Sequence, residues 1–161
     1  MVHSVLSLPN DRLRVTSREL SDAEILSPEI QSLIRDMIET MKVENGVGLA
    51  APQIGKPIRL IIAQTKKGPE AFLNPKIVDR SMRMVESQEG CLSIPGVWGT
   101  VTRHRTVVVT AKNALGQEVE IDAKGLLAII FQHEIDHLDG ILFIDRAHTL
   151  REPSTINGSL V

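Results

Sequence analysis

The chain has one cysteine, no tyrosine, three phenylalanines and one tryptophan. A lone cysteine, Cys91, excludes a disulfide within the chain and fits a reducing compartment. Phe72, Trp98, Phe131 and Phe143 are too few and too scattered to make a base-stacking platform. The core must therefore be built from Leu, Ile, Val, Met and Ala. There is also no excess of charge of either sign: the formal net charge is −2, which removes the bulk electrostatic case for nucleic acid or an anionic membrane. The longest apolar run, Leu126 to Phe131, is far too short to span a bilayer. The opening MVHSVLSLPNDRL lacks a basic segment followed by an apolar core, so neither a signal peptide nor an arginine-rich transit peptide is expected. These absences point to the cytoplasm, or to an organellar matrix if a transit peptide has been trimmed.

What is present is the composition of a soluble globular protein, 42% apolar and 24% charged over 161 residues. That length suits a single domain over residues 1–161 with one substantial core, and 147–161, with Pro153 and Gly158, reads as a loose tail. Residues 1–27 read as irregular, with a capping box at Ser21-Asp22-Ala23-Glu24. Ser27 and Pro28 then open a helix whose buried stripe is Ile30, Leu33, Ile34, Met37, Ile38 and Met41, stopped by Asn45-Gly46. From Ile58 to Glu120 the pattern is that of strands. Short candidates are 58–65, 72–73, 76–78 and 82–86, and a hairpin pairs 105–112 with 118–122.

The chemistry concentrates in Gln132-His133-Glu134-Ile135-Asp136-His137. A helix beginning near Lys124 or Gly125, apolar all round in its first turns and stopped by Gly140, carries this stretch and must be buried. His133 and His137, four residues apart, share one helix face and can aim two imidazoles at one ion. Glu134 is offset from His133 by about 100°. It can stand beside the ion without ligating it, where a general base belongs.

A catalytic site of this kind needs a third protein ligand. Cysteine by itself is most often a small buried hydrophobe. Cys91, however, follows Gly90 in a strand-and-turn region able to pack on a buried helix, and a metal beside two imidazoles binds cysteine as its thiolate. His3, His104 and His148 lack partners at ligand spacing and read as surface histidines. The segment Gly46 to Gly55 is too rich in small residues for an ordinary strand. It lets backbone approach a ligand or another segment closely, and Gln53 is its one polar side chain before Ile54.

Three segments together, GVGLAAPQ at 46–53, EGCLS at 89–93 and QHEIDH at 132–137, resemble the peptide deformylase family in order and spacing, and the likeness runs from about residue 5 to 146. That resemblance implies a compact α+β fold with antiparallel sheets packed around a central metal-binding helix. It implies removal of the formyl group from N-formylmethionine on nascent polypeptides. Cys91, His133 and His137 would be the ligands and Glu134 the base and acid, with the Gln53 amide and the Leu92 backbone N–H stabilising the oxyanion. Gly48 and Glu89 are placed near substrate by the same likeness. Val47, Ile129 and Ile130 are the expected walls of the methionine pocket, Ile129 because it shares the face of His133 one turn earlier. Two imidazoles and a thiolate bind Zn²⁺ more tightly than Fe²⁺. Fe²⁺ takes a fifth ligand more readily, and the resemblance implies Fe²⁺, with Zn²⁺, Ni²⁺ or Co²⁺ able to substitute.

Two departures from the family pattern stand out. Trp98 occupies a position at the rim of the peptide groove where many relatives carry a basic residue. The tail after Arg146 looks too short and broken for the C-terminal helix with which many relatives contact the ribosome. Two rivals make different demands. A zincin-like endopeptidase needs a third ligand from Asp139, Asp145 or His148. A non-catalytic protein with a structural metal needs a fourth ligand and leaves Glu134 without a role.

Overall fold

The computed structural model describes residues 1–151. An extended N-terminal segment passes through a 3-10 turn at Asp11–Arg14 into a single helical turn, α1 (Asp22–Ile25). Ser21 caps it reciprocally: its hydroxyl accepts from the Glu24 N–H while the Glu24 carboxylate accepts from the Ser21 N–H. In α2 (Pro28–Val43), the Ser27 hydroxyl accepts from the Ile30 N–H, and Pro28 sits where its missing N–H is not needed. Ile30, Leu33, Ile34, Met37 and Met41 are buried as their spacing predicts, and the chain leaves the helix through Asn45 at φ 57°.

Next come β1 (Gly48–Ala50), a 3-10 turn at Ala51–Ile54, β2 (Leu60–Thr65) and β3 (Gly68–Arg80). The chain continues through β4 (Met84–Cys91), β5 (Ile94–His104), β6 (Thr106–Lys112) and β7 (Glu118–Lys124), then α3 (Gly125–Leu138), α4 (Phe143–Arg146) and β8 (Thr149–Arg151). Five strands form one antiparallel sheet in the order β1-β2-β3-β6-β7, and three form a second in the order β4-β5-β8. Successive residues of a strand face opposite sides, and β2 uses this on both faces. Leu60 and Ile62 join the cluster built on α2, while Ile61 and Ala63 join the cluster built on α3. A third cluster, Cys91, Ile94, Val101, Leu142 and Phe143, closes the side of α3 turned to the smaller sheet. The helix is thus wrapped on both sides, and its residues Ala128 to Leu138 are all buried. No helix among the described residues is long and apolar enough to cross a membrane.

Three details differ from the sequence reading. Residues 72–73 and 76–78 belong to one strand, β3, which carries the Asn74-Pro75 interruption as a register shift, with Asn74 at φ 50°. The long strand β5 is hidden in the sequence by Pro95, Gly96 and Gly99. Its cross-strand partners, β4 on one side and β8 on the other, supply the pairing that local propensity does not. The tail is also less loose than expected, because Thr149–Arg151 pair with Trp98–Thr100. Gly99 makes this possible, since a Cβ there would press on Ala147 Cβ, Leu150 Cδ2 and Thr149 O at 3.0 Å. The remainder of the expected tail, 152–161, lies outside the described residues.

Candidate metal centre

The second sheet delivers Cys91 to α3. A register shift between Glu89 and Cys91 in the β4–β5 pair re-aims the end of β4, so both side chains meet the helix. Donor atoms of Cys91, His133 and His137 lie within 4.8 Å of one another, and all three residues are buried. Cys91 Sγ is 3.3 Å from His137 Nε2, and the two imidazole centroids are 5.1 Å apart.

The donor set fits a metal ion on a direct observation. His133 Nδ1 donates to Glu89 Oε1 at 2.8 Å, while His133 Nε2 and His137 Nδ1 are buried with no hydrogen-bond partner among the described residues. A buried polar group left unpaired costs about 1–3 kcal/mol. Several such groups gathered at one place are stable only with something to bind. Among the protein groups alone, burial pulls His133 down, but the neighbouring Cys91, the hydrogen bond to Glu89 and the charge of Glu134 draw it up to about 10. His137 is pushed well below its ordinary value by burial and by the charge on His133. An ion needs both rings neutral, so its uptake here would release a proton.

Glu134 lies next to these donors and is fully buried, and neither carboxylate oxygen has a partner among the described residues. Burial raises its pKa to about 7; the His133 charge pulls it back and the Glu89 charge pushes it up. The glycine-rich segment makes room for it. A Cβ built on Gly48 would collide with the Glu134 carboxylate, so only glycine at this point of β1 lets the backbone pass so close. Gln53, 1% exposed, is held by its Oε1 accepting from the Ala50 N–H. Its Nε2 donates to Ser93 Oγ at 3.1 Å and stands 3.5 Å from Cys91 Sγ. Leu92 is buried in the α2 cluster, where Gly46 leaves space for its Cδ1.

Glu89, placed near substrate by the resemblance, spends its carboxylate on His133 and Arg103. It is fully buried, with Oε1 accepting from His133 and from Arg103 Nη2 at 2.8 Å, and Oε2 from Arg103 Nε at 2.9 Å. Burial alone would raise its pKa, but Arg103 and His133 hold it at about 2. The carboxylate therefore fixes the proton of His133 on Nδ1 and leaves Nε2 as the free donor. Arg103 and its second partner, Asp136, are buried charged residues behind the centre that sequence reasoning passed over. The signal was parity: Arg103 is two residues from buried Val101 on β5, so the same side of the strand carried it inward.

The expected pocket residues separate. Ile129 borders a cleft of about 620 Å³ together with Val85, Ser87, Arg105, Lys124 and Gly125. Val47 is half-buried against the α3 cluster, whereas Ile130 is completely enclosed within it and reaches no surface. The endopeptidase rival gains no ligand. Asp139 pairs with Arg59, Asp145 with Arg14 and the Leu142 N–H, and His148 with Glu86. His3 and His104 are half-buried rather than exposed, facing Asp36 and the Ser81 carbonyl, and neither joins the cluster. Trp98 is buried in β5 opposite Arg151 rather than standing free at a rim.

A buried Cys-His-His donor set, an unshared carboxylate beside it and an antiparallel α+β scaffold define a metal-dependent hydrolase. The chain belongs to the polypeptide deformylase family, whose model matches residues 2–153. It is 40% identical to a peptide deformylase of Dictyoglomus turgidum over 147 residues, covering 91% of this chain and 94% of that one. Against a peptide deformylase of Xylella fastidiosa the identity is 43% over 150 residues, covering 91% and 88%. Among solved structures, the Thermotoga maritima peptide deformylase superposes with a TM-score of 0.88 at 34% identity, covering 92% of this chain and 99% of that one. The Synechococcus elongatus enzyme, in complex with actinonin, gives 0.86 at 39% identity, covering 91% and 79%. The activity of the family is deformylation of nascent peptides.

Proposed function

We propose that Cys91, His133 and His137 hold one Fe²⁺ ion, around which Glu134, Gln53 and the Leu92 backbone remove the formyl group from N-formylmethionyl chains. The observation that carries this reading is the Glu134 carboxylate, buried and unshared beside the three donors. When bound, the ion supplies Lewis-acid polarisation and a water of lowered pKa. Glu134 takes a proton from the water as its oxygen attacks the formyl carbon, then delivers that proton to the amine nitrogen as the C–N bond breaks and formate leaves. A carboxylate drawn up to about 7 suits both halves of this transfer near neutral pH. Gln53 keeps one amide N–H on Ser93 and turns the other towards the Cys91 side, where it and the Leu92 N–H meet the developing oxyanion. Losing a donor of this kind typically raises the barrier by about 3–4 kcal/mol. The methionine side chain enters the cleft that Ile129 borders together with Val85 and Ser87 of β4, with Val47 half-buried against the α3 cluster nearby and Gly48 seated against Glu134. Ile130 backs that wall from the core.

The partner is the nascent formylated chain, met in the cytoplasm or an organellar matrix. Docking to the ribosome through a C-terminal helix forms no part of this proposal, because Thr149–Arg151 are spent on a strand. The test is to strip the protein of metal, reload it separately with Fe²⁺, Ni²⁺, Co²⁺ and Zn²⁺, and assay formyl-Met-Ala-Ser without oxygen. Fe²⁺ should give the highest kcat/KM and lose it in air, as an oxidisable ion beside Cys91 must. A zinc form at least as active would reject Fe²⁺, and no turnover with any ion would reject the residue roles.

A further inference from the structure

After Gly140 the chain turns into α4, which packs on β4 and β5 and touches α3 through Phe143 and Arg146. Asp136 anchors the reversal, its carbonyl accepting from the Asp139 and Ile141 N–H groups. Two side chains of α4 then reach His133 by different routes. Phe143, 2% exposed, stacks on the imidazole with centroids 6.2 Å apart and planes inclined by 20°. Arg146 grips Asp136 with both arms, Nε to Oδ2 at 2.7 Å and Nη2 to Oδ1 at 3.0 Å. Asp136 Oδ2 also accepts from Arg103 Nη1 at 2.8 Å, and Arg103 spends its other donors on Glu89, which holds His133 Nδ1. Charges alternate along this chain from a half-exposed guanidinium to a ring nitrogen at the centre of the protein.

The order of the links has a physical consequence. Asp136 and Glu89 compete for one buried guanidinium. With Arg146 saturating Asp136, Arg103 can give Nε and Nη2 to Glu89 and keep that carboxylate square to the imidazole. Without Arg146, Asp136 must draw harder on Arg103, and the fork on Glu89 loosens. We infer that α4 is a strap that positions His133 for its ion, with Phe143 and Arg146 as positioning residues acting through ring stacking and through the Asp136–Arg103–Glu89 chain. This rests on Cys91, His133 and His137 being the ligands.

Arg146 is the handle for the test, because it is half exposed and its loss leaves Asp136 still bonded to Arg103. Removing Arg103 instead would leave the buried Glu89 carboxylate with His133 as its one remaining partner among these side chains and disturb the site directly. Full-length protein and the variants R146M, R146K and F143L are stripped of metal and titrated with Co²⁺. The readouts are the dissociation constant, the thiolate-to-cobalt and d–d absorption bands, kcat and KM of the cobalt form, and the unfolding temperature without metal. Partners directly behind a metal ligand are typically worth about 10–100-fold in affinity, so a residue two links further out should cost roughly 5-fold. R146M should weaken Co²⁺ binding by that factor, shift the d–d envelope and lower kcat with KM little changed, while the metal-free unfolding temperature barely moves. R146K, which keeps charge but cannot make two parallel bonds, should recover less than half of the loss. F143L should shift the same bands. Unchanged affinity and spectrum in R146M, full recovery by lysine, or a loss of affinity that merely follows a lower metal-free unfolding temperature would overturn the strap. If the unaltered protein shows no thiolate-to-cobalt band, the ligand set itself is wrong and the strap falls with it.

Discussion

Helices α2 and α3 cover opposite faces of the same five-stranded sheet, yet they bury different chemistry. α2 buries an apolar stripe and one polar side chain, Thr40, whose hydroxyl is satisfied by the Asp36 carbonyl and the His3 N–H. α3 buries Gln132, His133, Glu134, Asp136 and His137. Gln132 is satisfied on both ends of its amide, by His104 and Ala128, and Asp136 is held by two arginines. Among the described residues, what remains unpaired on α3 is His133 Nε2, His137 Nδ1 and the whole carboxylate of Glu134. On α3, buried polar groups with partners are architecture, and those without them gather beside Cys91, where their cost is tolerated because function needs it.

The strongest test of that contrast pairs one residue from each helix. Glu134→Ala should lower kcat/KM by about 10³-fold or more while keeping the metal. Its metal-free stability should hold or rise, since an unpaired buried carboxylate has been removed. Met37→Ala should do the reverse, costing about 2–5 kcal/mol of stability with kcat/KM of the folded protein retained. Metal analysis, denaturant unfolding and the formyl-Met-Ala-Ser assay on both variants read the result. A Glu134→Ala protein that unfolds more easily, or arrives without metal, would erase the distinction.

A smaller effect is expected from Gly48→Ala, where the new Cβ displaces the Glu134 carboxylate and leaves the ligands untouched. Misplacing a catalytic group by about 1 Å can cost about 10²-fold, so kcat should fall by up to that factor with metal content unchanged. A normal kcat would mean that Glu134 does not need its observed seat.

The smallest effect lies at the approach to α2. A hydrogen bond from Arg18 and one from the Ser21 backbone hold Glu24 at about 2, below its ordinary 4.5. A depressed carboxylate stabilises the fold fully above its unfolded pKa and loses that contribution as pH falls through the folded value. Glu24→Gln should therefore flatten the acid limb of stability between about pH 4.5 and 2 and leave activity at neutral pH alone. Because the pair is exposed, added salt should shrink the difference. Identical acid limbs for the two proteins would show that the pair contributes nothing.

Much of this was legible because its cause is local. The i, i+4 spacing of His133 and His137, the apolar first turns of α3, the Ser27-Pro28 start of α2 and the Ser21–Glu24 box all act within a few residues of chain. Three short motifs carried the family. β5 was not legible, since its glycines and proline read as breaks until β4 and β8 flank it. Nor was the place of Glu89, whose neighbours in sequence say nothing about Arg103, fourteen residues on, or His133, forty-four residues on.

The sequence by itself determined that two imidazoles share a helix face, that a carboxylate stands beside them and that the helix carrying them must be buried. Periodicity and apolar composition are properties of the chain alone. Only the tertiary structure decided that Glu89 faces His133 and Arg103, that Gly48 is needed for the bulk of Glu134, and that Arg103, Asp136 and Arg146 stand in line behind the centre. Those facts are set by the β4–β5 register and by the reversal after Gly140. A charged side chain is driven inward only when a partner of opposite charge, from a distant part of the chain, is already there to meet it.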